Sequence, residues 1–254
     1  MAKSKHDQAL NCISEAIRVY ELYPDEMEDK VVELLELKGD TLCELNDYDT
    51  AISTFQDCVE LLDPSDKADD SSDAPSVVYD ERVARLNHKM GHAFAKLDEY
   101  EDALDSYREA ISVYSNVSGK DDLKVGQVMY DAGQLIVSQG GDDISEKAPK
   151  YFDEIIRIYS LHGKDKDTKV ADALVQKSTI LVDSSEYDEA TSMLEKALDT
   201  YKESLGDNAV EIGNAMLLYG RIHEAQGNND DAMSAFDEAL RIFQISLGED
   251  DIKV

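Results

Sequence analysis

One pattern returns six times along the 254 residues of this chain, and its spacing leaves the fold little freedom. An alanine is followed four residues later by a bulky side chain and three later by another small or apolar one. The clearest copies are Ala232, Phe236, Ala239; Ala190, Leu194, Ala197; Ala103, Tyr107, Ala110; and Ala51, Phe55, Cys58. Weaker copies are Ala148, Phe152, Ile155 and Ala9, Ile13, Ala16. Steps of four and three place these side chains on one face of an α-helix. The lead alanines stand 42, 52, 45, 42 and 42 residues apart. Eleven residues after each comes Tyr20, Leu62, Tyr114, Tyr159, Tyr201 or Phe243, and a small residue falls upstream at Gly39, Gly91, Gly133, Ser178 and Gly220. Registers in step at such a period mark an array of helical pairs, each burying its apolar face against its neighbours.

Each register has a packing reason. A small residue in one helix and an alanine in the next let two antiparallel helices approach closely, and the aromatic between the alanines is expected to fill the gap between neighbouring pairs. Short turns join the helices: LNDYDTA, LDEYEDA, SSEYDEA and QGNNDDA. Tyr48, Tyr100 and Tyr187 share a slot there, each followed by an acid suited to a helix N-terminus. Gly119, Gly163, Gly206 and Gly248 follow the second helices, as left-handed C-caps require, and Asp122, Thr168, Asn208 and Asp251 are the expected N-caps. The expected fold class is all-α, a right-handed superhelical solenoid of antiparallel helix pairs.

The small residue, the alanine twelve on, the aromatic four later and the alanine three after that resemble the tetratricopeptide repeat. Gly220, Ala232, Phe236, Ala239 and Gly91, Ala103, Tyr107, Ala110 carry the pattern in full. The step of 42, with SLGDNAVEIGNA and SLGEDDIKV, resembles the longer repeats of kinesin light chains. Such light chains carry paired asparagines just before the small position; here those slots read His88-Lys89, Tyr130-Asp131, Val175-Gln176 and Leu217-Leu218.

The registers divide the chain into one repeat domain: a lone N-terminal helix over 5–23, repeats over 27–63, 77–118, 122–162, 168–205 and 209–247, and the start of a truncated further repeat over 251–254. The enlarged step after Cys58 puts DPSDKADDSSDAPS, within an acidic flexible connector over 64–76 and its margins, on the surface. The turn QGGDDISEKAP is lengthened by three residues, with Pro149 suited to the first turn of its helix.

Composition excludes whole classes of partner. Against 25 Lys+Arg stand 56 Asp+Glu, a net charge of −31. Phosphate backbones and anionic lipids need a basic surface, so neither nucleic acid nor membrane is an expected partner. No apolar run reaches membrane-spanning length, and MAKSKHDQ has no apolar core of a secretory signal. Cys12, Cys43 and Cys58 form no CxxC pair and sit among apolar helical residues, which predicts small buried thiols in a reducing, cytoplasmic compartment.

No phosphate-binding loop, GxSxG or HExxH is present, so no enzyme activity and no cofactor are expected. His88 and His92, four apart, have zinc-like spacing, but Lys89 replaces the glutamate of a hydrolytic site and opposes a metal, so no metal is assigned. The same helix carries a basic strip of Arg82, Arg85, His88, Lys89, His92 and Lys96. First helices line the concave face of such arrays, which points Arg85, His88 and His92 into a groove. In register follow Gln127, Tyr130 and Gln134, then Asp172, Val175 and Thr179, then Asn214, Leu217 and Arg221. A groove of cations, amides and a tyrosine suits a peptide carrying an acidic residue; alternatively, Arg82 and Arg85 pair with neighbouring acids on a solvated face.

The function this predicts is a non-catalytic scaffold that binds a protein or peptide segment along the groove. The groove contacts are Arg85, His88, Lys89, His92, Gln127, Tyr130, Gln134, Asn214 and Arg221. Alternatives are a regulatory or sensor domain of a larger protein, a cargo adaptor of kinesin-light-chain type, and an element that stacks end to end. The expected state is a monomer or a weakly self-associating chain.

Overall fold

The computed structural model describes residues 2–20, 22, 24–62, 80–140, 143–165 and 167–247. The connector over 64–76, Gly248 and the stretch 251–254 lie outside them. The described residues form eleven α-helices and no strand. They group into two compact units, residues 1–128 and 129–254, with α6 (Leu123–Gln139) running across the boundary.

In the first unit α1 (Ala2–Tyr20), α2 (Pro24–Glu44), α3 (Tyr48–Leu62), α4 (Glu81–Lys96) and α5 (Tyr100–Ser118) pack each on the next. In the second, α7 (Asp143–Leu161), α8 (Thr168–Asp183), α9 (Tyr187–Leu205), α10 (Val210–Ala225) and α11 (Asn229–Leu247) do the same. The repeated face is the core of both. Ala51, Phe55 and Cys58, like Ala103, Tyr107 and Ala110 or Ala190, Leu194 and Ala197, are buried almost completely. Each bulky member contributes ~1.5–3 kcal/mol through area removed from water.

The aromatic lies across the small residue of its own pair, and Phe55 also shares its buried cluster with Leu86 and Met90 of the next pair. A Cβ built on Gly91 falls 2.4 Å from Cε1 of Tyr107, and one on Gly39 falls 2.3 Å from Cε1 of Phe55. The helices close until ring meets backbone, because only hydrogen stands between them. The fourth repeat shows the compensation. Leu194 replaces the ring there, and Ser178 has room for a side chain whose hydroxyl donates to the Leu174 carbonyl at 2.8 Å and the Ala190 carbonyl at 3.0 Å.

Four of the turns between the helices of a pair share one geometry. Asn46, Asp98, Ser185 and Gly227 all have positive φ (61°, 61°, 64° and 80°). The next N–H donates to the carbonyl five residues back: Asp47 to Leu42, Glu99 to Phe94, Glu186 to Leu181 and Asn228 to His223, all within 3.0 Å. This is a Schellman closure. The repeated tyrosine has its role here. Tyr48 donates to Asn46 at 2.8 Å and Tyr100 to Asp98 at 3.0 Å, each bracketing a left-handed residue that is not glycine. Where glycine takes the slot, at Gly227, the tyrosine position is Asn229.

Several local expectations shift. Gly119 and Gly206 end their helices at φ 96°, ψ 150° and φ 85°, ψ 165°, beyond the left-handed helical region and in one that glycine alone enters readily. Asp122 caps α6 through Lys124 N–H, but Asp167 rather than Thr168 caps α8, and Ala209 rather than Asn208 precedes α10. Asn208 instead accepts from Arg241. Pro149 lies inside α7, which starts at Asp143, not in its first turn. Cys58 is buried, Cys43 half-buried and Cys12 exposed, so only one of three thiols is a full core residue.

Candidate functional site

The α4 strip lies against α2, which carries a carboxylate at nearly every matching turn. Arg85 donates through Nε and Nη2 to the two oxygens of Glu36 at 2.7 and 2.8 Å, a bidentate fork. Lys89 reaches Glu36 at 2.8 Å and both oxygens of Asp40 at 2.7 Å. Arg82 pairs with Asp29 at 2.7 Å and with its own N-cap, Asp80, at 2.9 Å. The Arg85 hydrogen bonds, joined by Lys89 and opposed by burial, hold the Glu36 carboxyl down to about 2. Arg82, Arg85 and Lys89 are therefore bound to carboxylates rather than standing as a free basic strip. The sequence separation of 49 and 53 residues between partners hides this pairing from any local reading. His88 and His92 stack at 4.6 Å between ring centroids, and His92 Nδ1 lies 3.1 Å from the Tyr107 hydroxyl, which it meets over the Gly91 contact. Gln127 is half-buried on α6.

The second unit gathers its predicted residues differently. A cavity of about 240 Å³ is lined by Tyr130 and Gln134 of α6, Asp172, Val175 and Gln176 of α8, Tyr201 of α9, and Glu211 and Asn214 of α10. Three of the four groove residues expected in this unit line it; the fourth, Arg221, is exposed further along α10 and does not. Asp172 and Val175, of the same register, line it as well, whereas the Thr179 hydroxyl is spent on the Val175 carbonyl at 3.0 Å.

Asp172 is the centre of the cavity's hydrogen bonding. Tyr130 donates to Oδ2 at 2.6 Å and Tyr201 donates to Oδ1. Gln134 in turn hydrogen-bonds the Tyr130 hydroxyl. Burial, reinforced by the Asp172 carboxylate, pushes both phenols well above the ordinary tyrosine range, so they remain donors. Tyr201 is 3% exposed, and its register position reads as packing. The signal that separates it from a core ring is the hydroxyl itself: the equivalent residue in the last repeat is Phe243. Glu211 and Gln176 lie outside the expected groove positions, although Glu211 stands three before Asn214 and Gln176 four after Asp172.

One contact rule emerges. The residue three before the small position of one repeat meets the residue six before it in the next: Glu36 meets Arg85, and Tyr130 meets Asp172. Among the described residues no helix is long and apolar enough to cross a membrane.

Tetratricopeptide-repeat family models match residues 32–61, 84–116 and 169–245, together more than half of the chain. Protein KINESIN LIGHT CHAIN-RELATED 3 of Arabidopsis thaliana is 24% identical over 132 residues, 52% of this chain and 20% of that protein. The chain thus spans about a fifth of that relative's length. Among solved structures, BtubC (BKLC) from P. vanneervenii superposes with a TM-score of 0.73 at 16% identity, covering 97% of this chain and 92% of its own. YrrB, described as a TPR protein with an unusual peptide-binding site, gives 0.57 at 17% identity over 92% and 94%. At such identities the likeness establishes the fold. Fold, registers and family models agree that the chain belongs to the tetratricopeptide-repeat family.

Proposed function

We propose that this chain is a non-catalytic interaction scaffold that binds a peptide or protein segment along the faces formed by its first helices. In the second unit those contacts are Tyr130, Gln134 and Asn214, with Arg221 beyond them; in the first they are Arg85, His88, Lys89, His92 and Gln127. The observation that carries the reading is the convergence of residues from α6, α8 and α10 on one polar cavity. Repeat geometry delivers two or three side chains from each of these first helices to it, the arrangement that reads an extended segment residue by residue. The peptide-binding site of YrrB, a protein of the same fold, supports it.

The test is to select a random peptide display library on the full chain and map the contacts of the selected peptides. A photo-crosslinking phenylalanine is placed at Asn214 or, as control, at exposed Lys196 of α9. Adducts at position 214 and none at 196 are expected. Peptides that crosslink only at 196, or at neither position, refute the proposal.

A further inference from the structure

We infer that the cavity accepts a lysine or arginine side chain of the bound segment, its cation meeting the Asp172 carboxylate. The inference rests on the binding reading above and adds the chemistry of one ligand residue. Size comes first: about 240 Å³ is below the ~300–1,000 Å³ of pockets that hold whole small molecules, and suits one side chain of a larger ligand. Charge comes next. The charged residues lining the cavity are Asp172 and Glu211, and no lysine or arginine lines it.

Hydrogen-bond capacity points the same way. A carboxylate offers about four lone-pair sites. Tyr130 takes one on Oδ2 and Tyr201 one on Oδ1, so each oxygen keeps a site for a further donor. The phenols also fix the carboxylate in place before any ligand arrives, which lowers the entropy lost on binding. Val175 and the Tyr130 ring supply apolar wall for the methylene stem of a long cationic side chain.

The first unit shows what these positions do when the chain supplies its own cation. There the same pair of repeat positions holds Glu36 and Arg85 in a bidentate ion pair. In the second unit the pair is Tyr130 and Asp172: tyrosine takes the glutamate's position and the carboxylate takes the arginine's, so the carboxylate meets a neutral donor instead of a cation. Lys169 stands over the Tyr130 ring, 6.0 Å from its centroid, and is not part of the lining.

The selected peptides test this on the full chain and on D172N, E211Q and D199N. Asp199 is an exposed carboxylate of α9 outside the cavity, so D199N removes the same unit of charge from a chain of net charge −31. Peptides that crosslink at position 214 are expected to carry Lys or Arg at one fixed position. Changing that residue to Met weakens binding about tenfold on the parent chain and on D199N, but less than about twofold on D172N. E211Q, at the exposed rim, gives an intermediate loss and serves if D172N does not fold by circular dichroism. Peptides that crosslink at 214 with no fixed cation, or equal losses on D172N and D199N, overturn this inference and leave the binding reading standing. Peptides that fail to crosslink at 214 overturn both.

Discussion

Replacing Gly91 by alanine sets two opposing effects against each other, and the structure decides which wins. In a helix interior alanine is favoured over glycine by about 1 kcal/mol. Against this, the new methyl falls 2.4 Å from Cε1 and 2.5 Å from Cδ1 of Tyr107. The ring cannot step aside cheaply: it is 2% exposed, and its hydroxyl lies 3.1 Å from His92 Nδ1. Overpacking of a closed site costs ~1–3 kcal/mol, and a rigid ring against backbone belongs at the upper end. The net expectation is a loss of about 2 kcal/mol. Gly133→Ala is the internal comparison. Its methyl stands 3.0, 3.4 and 3.5 Å from Phe152, so a shift of a few tenths of an ångström relieves it, and propensity cancels the cost to within ~0.5 kcal/mol. The fourth repeat supplies the rescue. Gly91→Ala/Tyr107→Leu recreates the Ser178 and Leu194 pairing and should show a favourable coupling of ~1–2 kcal/mol. Urea unfolding of the parent, Gly91→Ala, Gly133→Ala, Tyr107→Leu and the double variant by far-UV circular dichroism measures all of these. Gly91→Ala as stable as the parent, or less damaging than Gly133→Ala, would refute the ring-on-backbone account of how the helices close.

Three further outcomes are expected. Ser185 holds φ 64° with only a 3.5 Å contact to Tyr187, so Ser185→Gly should raise the urea midpoint by the equivalent of about 1 kcal/mol. Glu36 has a folded pKa of about 2 against an ordinary 4.5, so its contribution is complete above 4.5 and fades as pH falls toward 2. Removing it with Glu36→Gln should flatten the stability–pH profile in that window by ~1–2 kcal/mol, the screening by half-exposed Arg85 included. Burial pushes the Cys58 thiol up to about 12, whereas Cys12 is exposed; maleimide at mildly alkaline pH should label Cys12 in the folded chain and Cys58 only after denaturation, as read by mass spectrometry.

The registers of alanine, ring and small residue determined the all-α repeat class, the helices and the slots of their turns, because helical periodicity and close approach are written in residues a few positions apart. Tyr130, Gln134, Asp172, Val175 and Asn214 were legible as groove positions for the same reason. Where each cation spends its charge was not: Arg85 and Lys89 find Glu36 across about fifty residues, and pairing at that range exists only once α2 and α4 lie side by side. Tyr201 reads as a core ring until its hydroxyl is seen on Asp172, contributed by a helix the groove register does not include. One-dimensional spacing fixes which face a residue shares with its own helix. The tertiary structure alone decides which charges meet, and so turned the expected basic groove into paired carboxylates in one unit and a carboxylate-centred cavity in the other.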